Sequence, residues 1–478
     1  MWTIAGPPPD PSLPPLSRTP EAAGIARPTY KGGWGQWFPA AWRDRPKGTP
    51  AWDLRAAGLA ALVSALAMTQ AGAQVLNTLF PEGVPGYGTQ PGVTVLSRLR
   101  TDHDPVGIRE GAFRLFPQLE TTLGYDDNVM GGTSKKGSWV ASTRPSLLLS
   151  SDWSRDAFGA YVALSDTRYP DQAAQGRTDG TVALGGSVDV GQDRLTLAGS
   201  YVATHQDRTQ LDALPTDRPV GVTIADARVE YAIRSGRFVW TPHIAFAHWT
   251  YGNTTIMGAP VSQSYRNRDV LTGGMTLRYE LAPLRNLVLV ARATRQAYTS
   301  PGVTQPAPDS TGLRLLAGLD YDDNAVWRYR LLFGIESRRF SNSAYRPHTG
   351  FTAEGELVWN PTGLTTIRAT LLRGLEDAAQ EGVAGFTYTA ARIRIDHELT
   401  REILLHATAG LQEAVFLQGG GRQSGYAFGA GITWLINRSA RLSATYDGSG
   451  IQGAASGINP ITGDYGRNIA LLTLRLGL

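Results

Sequence analysis

The stretch WRYRLLFGIESR, residues 327–338, carries the pattern that decides the fold. Aromatic and aliphatic side chains occupy alternate positions, and mostly arginine, glycine and glutamate fall between them. Because successive side chains of a strand point to opposite faces, this period of two predicts a β-strand with one apolar and one charged face. The same alternation recurs at residues 225–233, 271–281 and 391–399, so we predict such strands across residues 111–478.

The polar faces of these strands indicate a confined, hydrated interior. A soluble β-sandwich usually carries many lysines on its outer face, but after Lys47 this sequence has only Lys135 and Lys136. If the apolar faces contact lipid instead, a closed ring of strands can pair every backbone group without leaving an edge. We therefore predict an all-β transmembrane antiparallel up-and-down β-barrel of about 18 strands, within a range of 16–20.

The connections between the predicted strands alternate in length. Short turns such as Ser235-Gly236 and Thr400-Arg401 separate longer polar segments such as residues 208–218 and 251–263. Bacterial barrels have short periplasmic turns and long extracellular loops. We expect the same arrangement in this protein.

Composition excludes several classes of protein. The chain has 478 residues and no cysteine, so disulfide frameworks, thiolate zinc sites and cysteine nucleophiles are excluded. The net charge of +4 is mild, and the arginines are interleaved with acids along the chain, so no nucleic-acid partner is predicted. We predict no cofactor and no metal site.

The first hundred residues differ from the rest. Arg55, an apolar run at residues 56–68, and Ala71 and Ala73 before Gln74 have the three parts of a secretory signal, with cleavage expected at Gln74. We interpret the residues before the signal as an upstream start assigned in error; the alternative is a buried alanine-rich helix of a soluble protein. The predicted organisation is a Pro-rich disordered extension (1–50), a signal-like segment (51–73), a periplasmic lead-in (74–110) and the barrel (111–478).

Two motifs open the predicted barrel: FRLFPQL at residues 113–119 and GYDDNV at residues 124–129. They resemble the start of the outer-membrane β-barrel porin family of the "porin 2" type of proteobacteria, F-x-x-x-P-x-L followed by Y-D-D-N-V. The resemblance implies an outer-membrane barrel of Gram-negative bacteria, and some members resemble proteins associated with exopolysaccharide export. The matching residues are Phe113, Pro117, Leu119, Tyr125, Asp126, Asp127, Asn128 and Val129.

The second motif has two interpretations. Side chains of aspartate and asparagine bond to the backbone and end strands well, which favours a turn. A calcium site is the alternative, because hard cations bind clustered carboxylates, but Asp126 and Asp127 alone supply too few ligands.

The chain ends in another alternating strand, with Leu472, Leu474, Leu476 and Leu478 on one face. Such a strand resembles the terminal signal that outer-membrane barrels present to their assembly machinery. The usual final phenylalanine is replaced by Leu478. The expected partners are thus outer-membrane lipid, the barrel-assembly machinery, and a polar solute or polysaccharide.

Charged side chains on the polar faces are the candidate functional residues. Rings of charge in a pore select ions and solutes, whereas cross-strand ion pairs only hold the barrel in shape, and both roles stay open for each residue. The predicted lumen-facing charges are Asp226, Arg228, Glu230, Arg278, Glu280, Arg328, Arg330, Glu336, Glu354, Glu356, Arg392, Arg394, Asp396 and Glu398.

Three hypotheses about function follow. The first is a porin-like conduit for polar solutes, with exopolysaccharide passage as a special case. The second is a structural or surface-interaction barrel with a plugged lumen. The third, a hydrolase within the barrel, would pair His406 with Ser424 or Ser443, but no local motif supports it, so no enzyme is predicted. Tryptophans expected in interfacial girdles are Trp240, Trp249, Trp327, Trp359 and Trp434.

Overall fold

The computed structural model describes residues 83–87, 93–300, 305–322, 326–419, 421–453 and 464–478. The predicted extension, the signal-like segment and its cleavage site lie outside the described residues. The lead-in is described in part.

Eighteen long antiparallel strands, of 12 to 16 residues each, form the described fold. They are β1 (Phe113–Asp126), β2 (Ser138–Ser151), β3 (Ala157–Arg168), β4 (Arg177–Val190), β5 (Asp193–Gln206), β6 (Val220–Ser235), β7 (Phe238–Tyr251), β8 (Arg268–Ala282), β9 (Arg285–Tyr298), β10 (Ser310–Asp322), β11 (Trp327–Phe340), β12 (His348–Thr362), β13 (Thr365–Glu376), β14 (Phe386–Glu398), β15 (Ile403–Phe416), β16 (Arg422–Leu435), β17 (Ala440–Gln452) and β18 (Tyr465–Gly477).

Each strand pairs with its neighbours in chain order, and the last strand pairs with the first. The closing pair runs in register from Gln118 opposite Gly477 to Asp126 opposite Ile469. No edge remains open among the described long strands, because both sides of each are paired. The predicted fold class and the strand number are confirmed.

The two rims differ as predicted. The connection between β6 and β7 is residues 236–237 and that between β8 and β9 is residues 283–284, whereas residues 207–219 and 252–267 form connections at the opposite rim. We call these the short-turn rim and the long-loop rim. The minor elements among the described residues are three 3-10 helices (Pro170–Gln175, Ser264–Arg266 and Leu417–Gly419) and three short strands (Ile108–Glu110, Thr254–Ile256 and Ala259–Val261). Within the described ranges, none of the helices has the length and hydropathy to span a membrane.

The distribution of polarity is inverted relative to a soluble protein. Along β11 the side chain of Ile335 is 56% exposed on the outer face, whereas its neighbour Glu336 is 8% exposed on the inner face. Leu411 of β15 is 67% exposed, whereas Asp396 of the adjacent β14 is 4% exposed. Apolar side chains outside and charged ones inside are stable only if lipid surrounds the barrel.

Aromatic side chains mark the two membrane interfaces. Trp327 and Trp359 stack at 5.0 Å near the short-turn rim, and Phe113 lies at the same rim. Tyr125 and Trp139 contact each other at 5.7 Å near the long-loop rim. The 12 residue-to-residue steps from Phe113 to Tyr125, at about 3.4 Å each on a strand tilted by about 40°, span about 30 Å along the barrel axis. This height matches the hydrocarbon core of a bilayer.

One predicted girdle residue lies elsewhere. Trp249 is 9% exposed and packs in an interior apolar cluster, with the Arg268 guanidinium 5.0 Å from its ring. On β7 the odd-numbered residues, including His243 and Trp249, face the lumen, and the even-numbered ones face outward. Trp240 is even-numbered, and its side chain is 39% exposed on the outer face. The girdle prediction for Trp249 is therefore wrong, because the side-chain alternation of its own strand assigns it to the lumen.

Candidate functional site

The lumen wall carries a network of charges at mid-height on strands β9 to β12. Arg314 lies 2.8 Å from Glu336 and 3.1 Å from Glu354, and Arg292 lies 3.3 Å from the same Glu354 carboxylate. These positions face one another because neighbouring strands are in register, with Arg314 directly opposite both Arg292 and Glu336. The network fixes the shape of this wall, while its charges line the path along the barrel axis.

Every charge that the sequence indicated for the lumen is on the face opposite to the exposed apolar side chains of its own strand. Several make close contacts there: Arg278 pairs with Asp320 at 3.0 Å and Arg394 with Asp396 at 2.8 Å. The inward set comprises Asp226, Arg228, Glu230, Arg278, Glu280, Arg328, Arg330, Glu336, Glu354, Glu356, Arg392, Arg394, Asp396 and Glu398.

Further arginines lie on the inward faces beyond the set predicted from the sequence, among them Arg292, Arg314 and Arg368. The alternation rule would have found them. Leu289 of β9 is exposed outside, so Arg292, three positions later, must face inward.

The lead-in enters the lumen in two described pieces. The first, the inner segment, is residues 83–87, where Val84 is 1% and Tyr87 5% exposed. Tyr87 donates its hydroxyl to Asp226 Oδ1 at 2.5 Å, and the Arg228 guanidinium lies 4.5 Å from the Tyr87 ring centre. These contacts place the inner segment against strands β3 to β6.

The second piece, the rim segment, is residues 93–104. Its Val95 N–H donates to Thr366 Oγ1 at 2.9 Å, and the Val95 side chain packs on Leu404 and Leu435. Arg98 and Arg100 both pair with Glu398, and Asp104 pairs with Arg441 at 2.9 Å. All these wall residues are near the short-turn rim, on strands β13 to β17, across the ring from the inner segment.

Two loops fold together at the long-loop rim. The Ala379 N–H of the 377–385 loop donates to Asp212 Oδ2 of the 207–219 loop at 2.5 Å, and the Asp212 N–H donates to Gln423 Oε1 at 3.0 Å. Leu211 is fully buried in an apolar cluster with Phe386 and Tyr388. The described lumen is therefore narrowed at both ends by segments that are not part of the barrel wall.

Burial raises the pKa of Asp212 to about 7, although the Ala379 N–H and the nearby Arg266 oppose the shift. Burial would also raise the pKa of Asp377, but Arg338 at 2.5 Å and Arg268 at 3.1 Å outweigh it and hold that pKa below its usual value. One loop thus presents a carboxyl that titrates near neutrality, and the other a carboxylate that stays ionised.

The YDDN motif closes the ring of strands. The Asp126 carboxylate receives Arg467 of β18 at 2.5 Å, and the Asn128 side chain donates to Gly466 O at 3.0 Å. Asp127 accepts hydrogen bonds from Asn468 N at 2.7 Å and from its side chain at 2.8 Å.

For Asp127, burial would raise the pKa, but the hydrogen bonds from Lys135 and Asn468 outweigh it and lower that pKa. Both carboxylates are engaged by side chains of the protein. Among the described residues, no group of three or more carboxylate, histidine or cysteine side chains could hold a metal ion.

The remaining motif residues have structural positions. Phe113, Pro117, Leu119 and Tyr125 belong to the outward face of β1, whereas Val129 is 5% exposed. On β18, Leu472, Leu474 and Leu476 are 40–50% exposed on the lipid side, and Leu478 follows the strand at 56% exposure.

The residues considered for a hydrolase do not form a catalytic pair. His406 is on the inward face of β15, whereas Ser424 is exposed on the outward face of β16. Ser443 faces inward, but its hydroxyl is hydrogen-bonded to Thr433 Oγ1 at 3.0 Å.

A closed antiparallel barrel with an apolar exterior, aromatic belts and a charged lumen defines a bacterial outer-membrane channel protein of the Gram-negative type. The chain belongs to the family described as "Putative beta-barrel porin 2", whose model matches residues 101–476. This finding confirms the family resemblance and the outer-membrane location. No curated protein matches the chain.

Several solved structures from Pseudomonas aeruginosa are similar in part. OccK2 (OpdF) shares 14% identity over 76% of this chain and 98% of its own, with a TM-score of 0.40. The structure of OccK2 (OpdF) in complex with glucuronate shares 13% identity over 77% of this chain and 98% of its own, with a TM-score of 0.41. The structure of OpdK with vanillate shares 10% identity over 76% of this chain and 99% of its own, with a TM-score of 0.41. These TM-scores are below 0.5, so the strand pairing and the family match carry the assignment.

Proposed function

We propose that the protein is a conduit for small polar solutes across the outer membrane and that it prefers anions. A group of inward arginines that outnumbers the carboxylates paired with it supports the proposal. Arg368 of β13 is directly opposite Arg394 of β14, and Arg392 follows two positions away on the same face. Like charges at opposite positions of a sheet repel each other, so this arrangement produces a positive potential in the lumen.

The counter-charges near this group are few. Within the described residues, Arg394 pairs with Asp396 at 2.8 Å, but no carboxylate oxygen is within 4.0 Å of the guanidinium nitrogens of Arg330, Arg368 or Arg392. Glu356 faces Arg330 across the β11–β12 pair without reaching that distance. The buried Nε of Arg368 has no hydrogen-bond partner among the described residues, which leaves a donor for a passing anion.

The narrowing of both rims favours small solutes over polymers. An exopolysaccharide could pass only if the inner and rim segments and the two docked loops left the lumen. Polysaccharide passage and a permanently plugged structural barrel are therefore the alternatives that a conductance experiment must separate.

The test is the reversal potential of the purified protein in a planar bilayer under a KCl gradient. The expected result is anion preference, and its reduction or reversal in the Arg368→Gln/Arg392→Gln variant. The matched control is Arg295→Gln/Arg339→Gln, which removes the same charge from the exposed outer face. Folded wild-type protein that carried no current would support the plugged barrel, and equal shifts in the two variants would refute a role for the inward arginines.

A further inference from the structure

We propose that the inner segment is a detachable plug: residues 83–87 sit on the lumen wall of β3 to β6, restrict passage, and leave the wall as a unit. The proposal goes beyond the solute preference of the channel and concerns what limits its opening.

The wall is shaped to receive a main chain. A Cβ added at Gly159 of β3 would lie 2.0 Å from Gly83 O, and one added at Gly185 of β4 would lie 1.9 Å from Pro85 O. Both distances are far below any allowed contact. The surface of the lumen wall that holds residues 83–87, which we call the seat, therefore exists only because these two inward positions lack side chains. Gly86 in turn approaches Ala198 of β5 so closely that its own Cβ would lie 2.6 Å from the Ala198 Cβ.

Side chains complete the seat. Val84 and Tyr87 pack in the interior apolar cluster with inward residues such as Ala183, Val202 and Ile224. The Tyr87 hydroxyl donates to Asp226 at 2.5 Å, and Arg228 Nη1 donates to Gly86 O at 3.3 Å.

The seat does not make the inner segment part of the sheet. Strands β3, β4, β5 and β6 are each paired on both sides, so they have no free edge for ladder hydrogen bonds with residues 83–87. The short strand Ile108–Glu110, by contrast, pairs with β1 and anchors the far end of the lead-in. Attachment through side chains and close packing lets the segment detach without disturbing the ring.

The first experiment evicts the plug. The Gly159→Ala/Gly185→Ala variant places two methyl groups where Gly83 O and Pro85 O now lie. The matched control is Gly180→Ala/Gly186→Ala, because added Cβ atoms at these β4 positions meet no atom closer than 3.7 Å. We expect single-channel conductance to rise roughly twofold or more in the first variant, because pore width governs passage, and to stay unchanged in the control. Equal conductance in the two variants would overturn the proposal.

The second experiment does not depend on eviction. Because the chain has no cysteine, Val84→Cys in the otherwise wild-type protein introduces its sole thiol at a site that is 1% exposed. A small charged methanethiosulfonate reagent should label this thiol completely but at least roughly tenfold more slowly than Val93→Cys, whose position is 56% exposed, because labelling waits for opening. A conducting Val84→Cys variant that stays unlabelled, or one labelled as fast as the Val93→Cys variant, would show that no plug detaches.

Discussion

The buried ion pair between Asp126 and Arg467 should be the strongest single tie between the first and last strands. Asp126 is fully buried and Arg467 is 7% exposed, and the Arg467 Nε lies 3.1 Å and 3.0 Å from the two carboxylate oxygens. Arg467→Met would leave the carboxylate with the Asn128 N–H at 3.0 Å as its remaining close donor among the described residues. Removal of one partner of a buried pair costs about 3–5 kcal/mol, because the other charge stays buried.

The matched control is Arg422→Met. Arg422 pairs with Glu413 on the outer face, where the two side chains are 66% and 27% exposed, and such a pair contributes about 0–1 kcal/mol. The double variant Asp126→Asn/Arg467→Met should recover part of the loss, because no uncompensated charge remains.

The assay is equilibrium unfolding in guanidinium of barrels refolded into lipid, followed by tryptophan fluorescence and by the heat-dependent migration of folded barrels on gels. If the free energies of unfolding of Arg467→Met and Arg422→Met agreed within error, the Asp126–Arg467 pair would not be the main stabilising contact between β1 and β18.

Three further predictions concern the loops, the lipid face and the rim segment. Burial in the contact between the 207–219 and 377–385 loops raises the pKa of Asp212 from 3.8 to about 7. The two loops should therefore associate most strongly below about pH 4, and their association constant should fall by up to about tenfold per pH unit until pH 7. Channel current should therefore rise between pH 4 and pH 7 in the wild type and lose this pH dependence in Asp212→Asn. The same pH dependence of the current in the variant would contradict the role of the two-loop contact. Phe333→Arg, on the lipid face, should lower the free energy of unfolding by about 2–4 kcal/mol, whereas Thr276→Arg in the lumen should cost far less, and equal losses would argue against lipid contact. Glu398→Gln removes the acceptor of two arginine contacts, so limited trypsin digestion should cleave after Arg98 or Arg100 faster than in wild type, with an unchanged rate counting against a docked rim segment.

The strands and their two faces could be predicted from the sequence because each depends on local alternation. The pattern at residues 327–338 suffices to place Glu336 inside and Ile335 outside, and the structure agrees. The prediction for Trp249 was wrong because it relied on the preference of tryptophan for membrane interfaces and not on the alternation of inward and outward positions along the strand. Within this fold, position along the strand is the stronger indicator.

The lead-in and the ion-pair network could not be predicted, because they depend on register. Gly159 and Gly185 become a seat only when two strands align them beside residues that precede them by about 70 to 100 positions. Asp126 and Arg467 are 341 residues apart, and no local signal connects them. The positions of Asp212 and Ala379 in two separate loops are equally invisible in a single sequence.

Ring closure between β1 and β18 has a consequence for biogenesis. Until residues 465–477 pair with them, β1 and β17 each have one edge of unpaired N–H and C=O groups beside an apolar outer face. Such edges template aggregation in water. Both edges are paired only when the thirteen residues of β18 lie between β1 and β17, so the pairing of β18 is the step that completes the barrel.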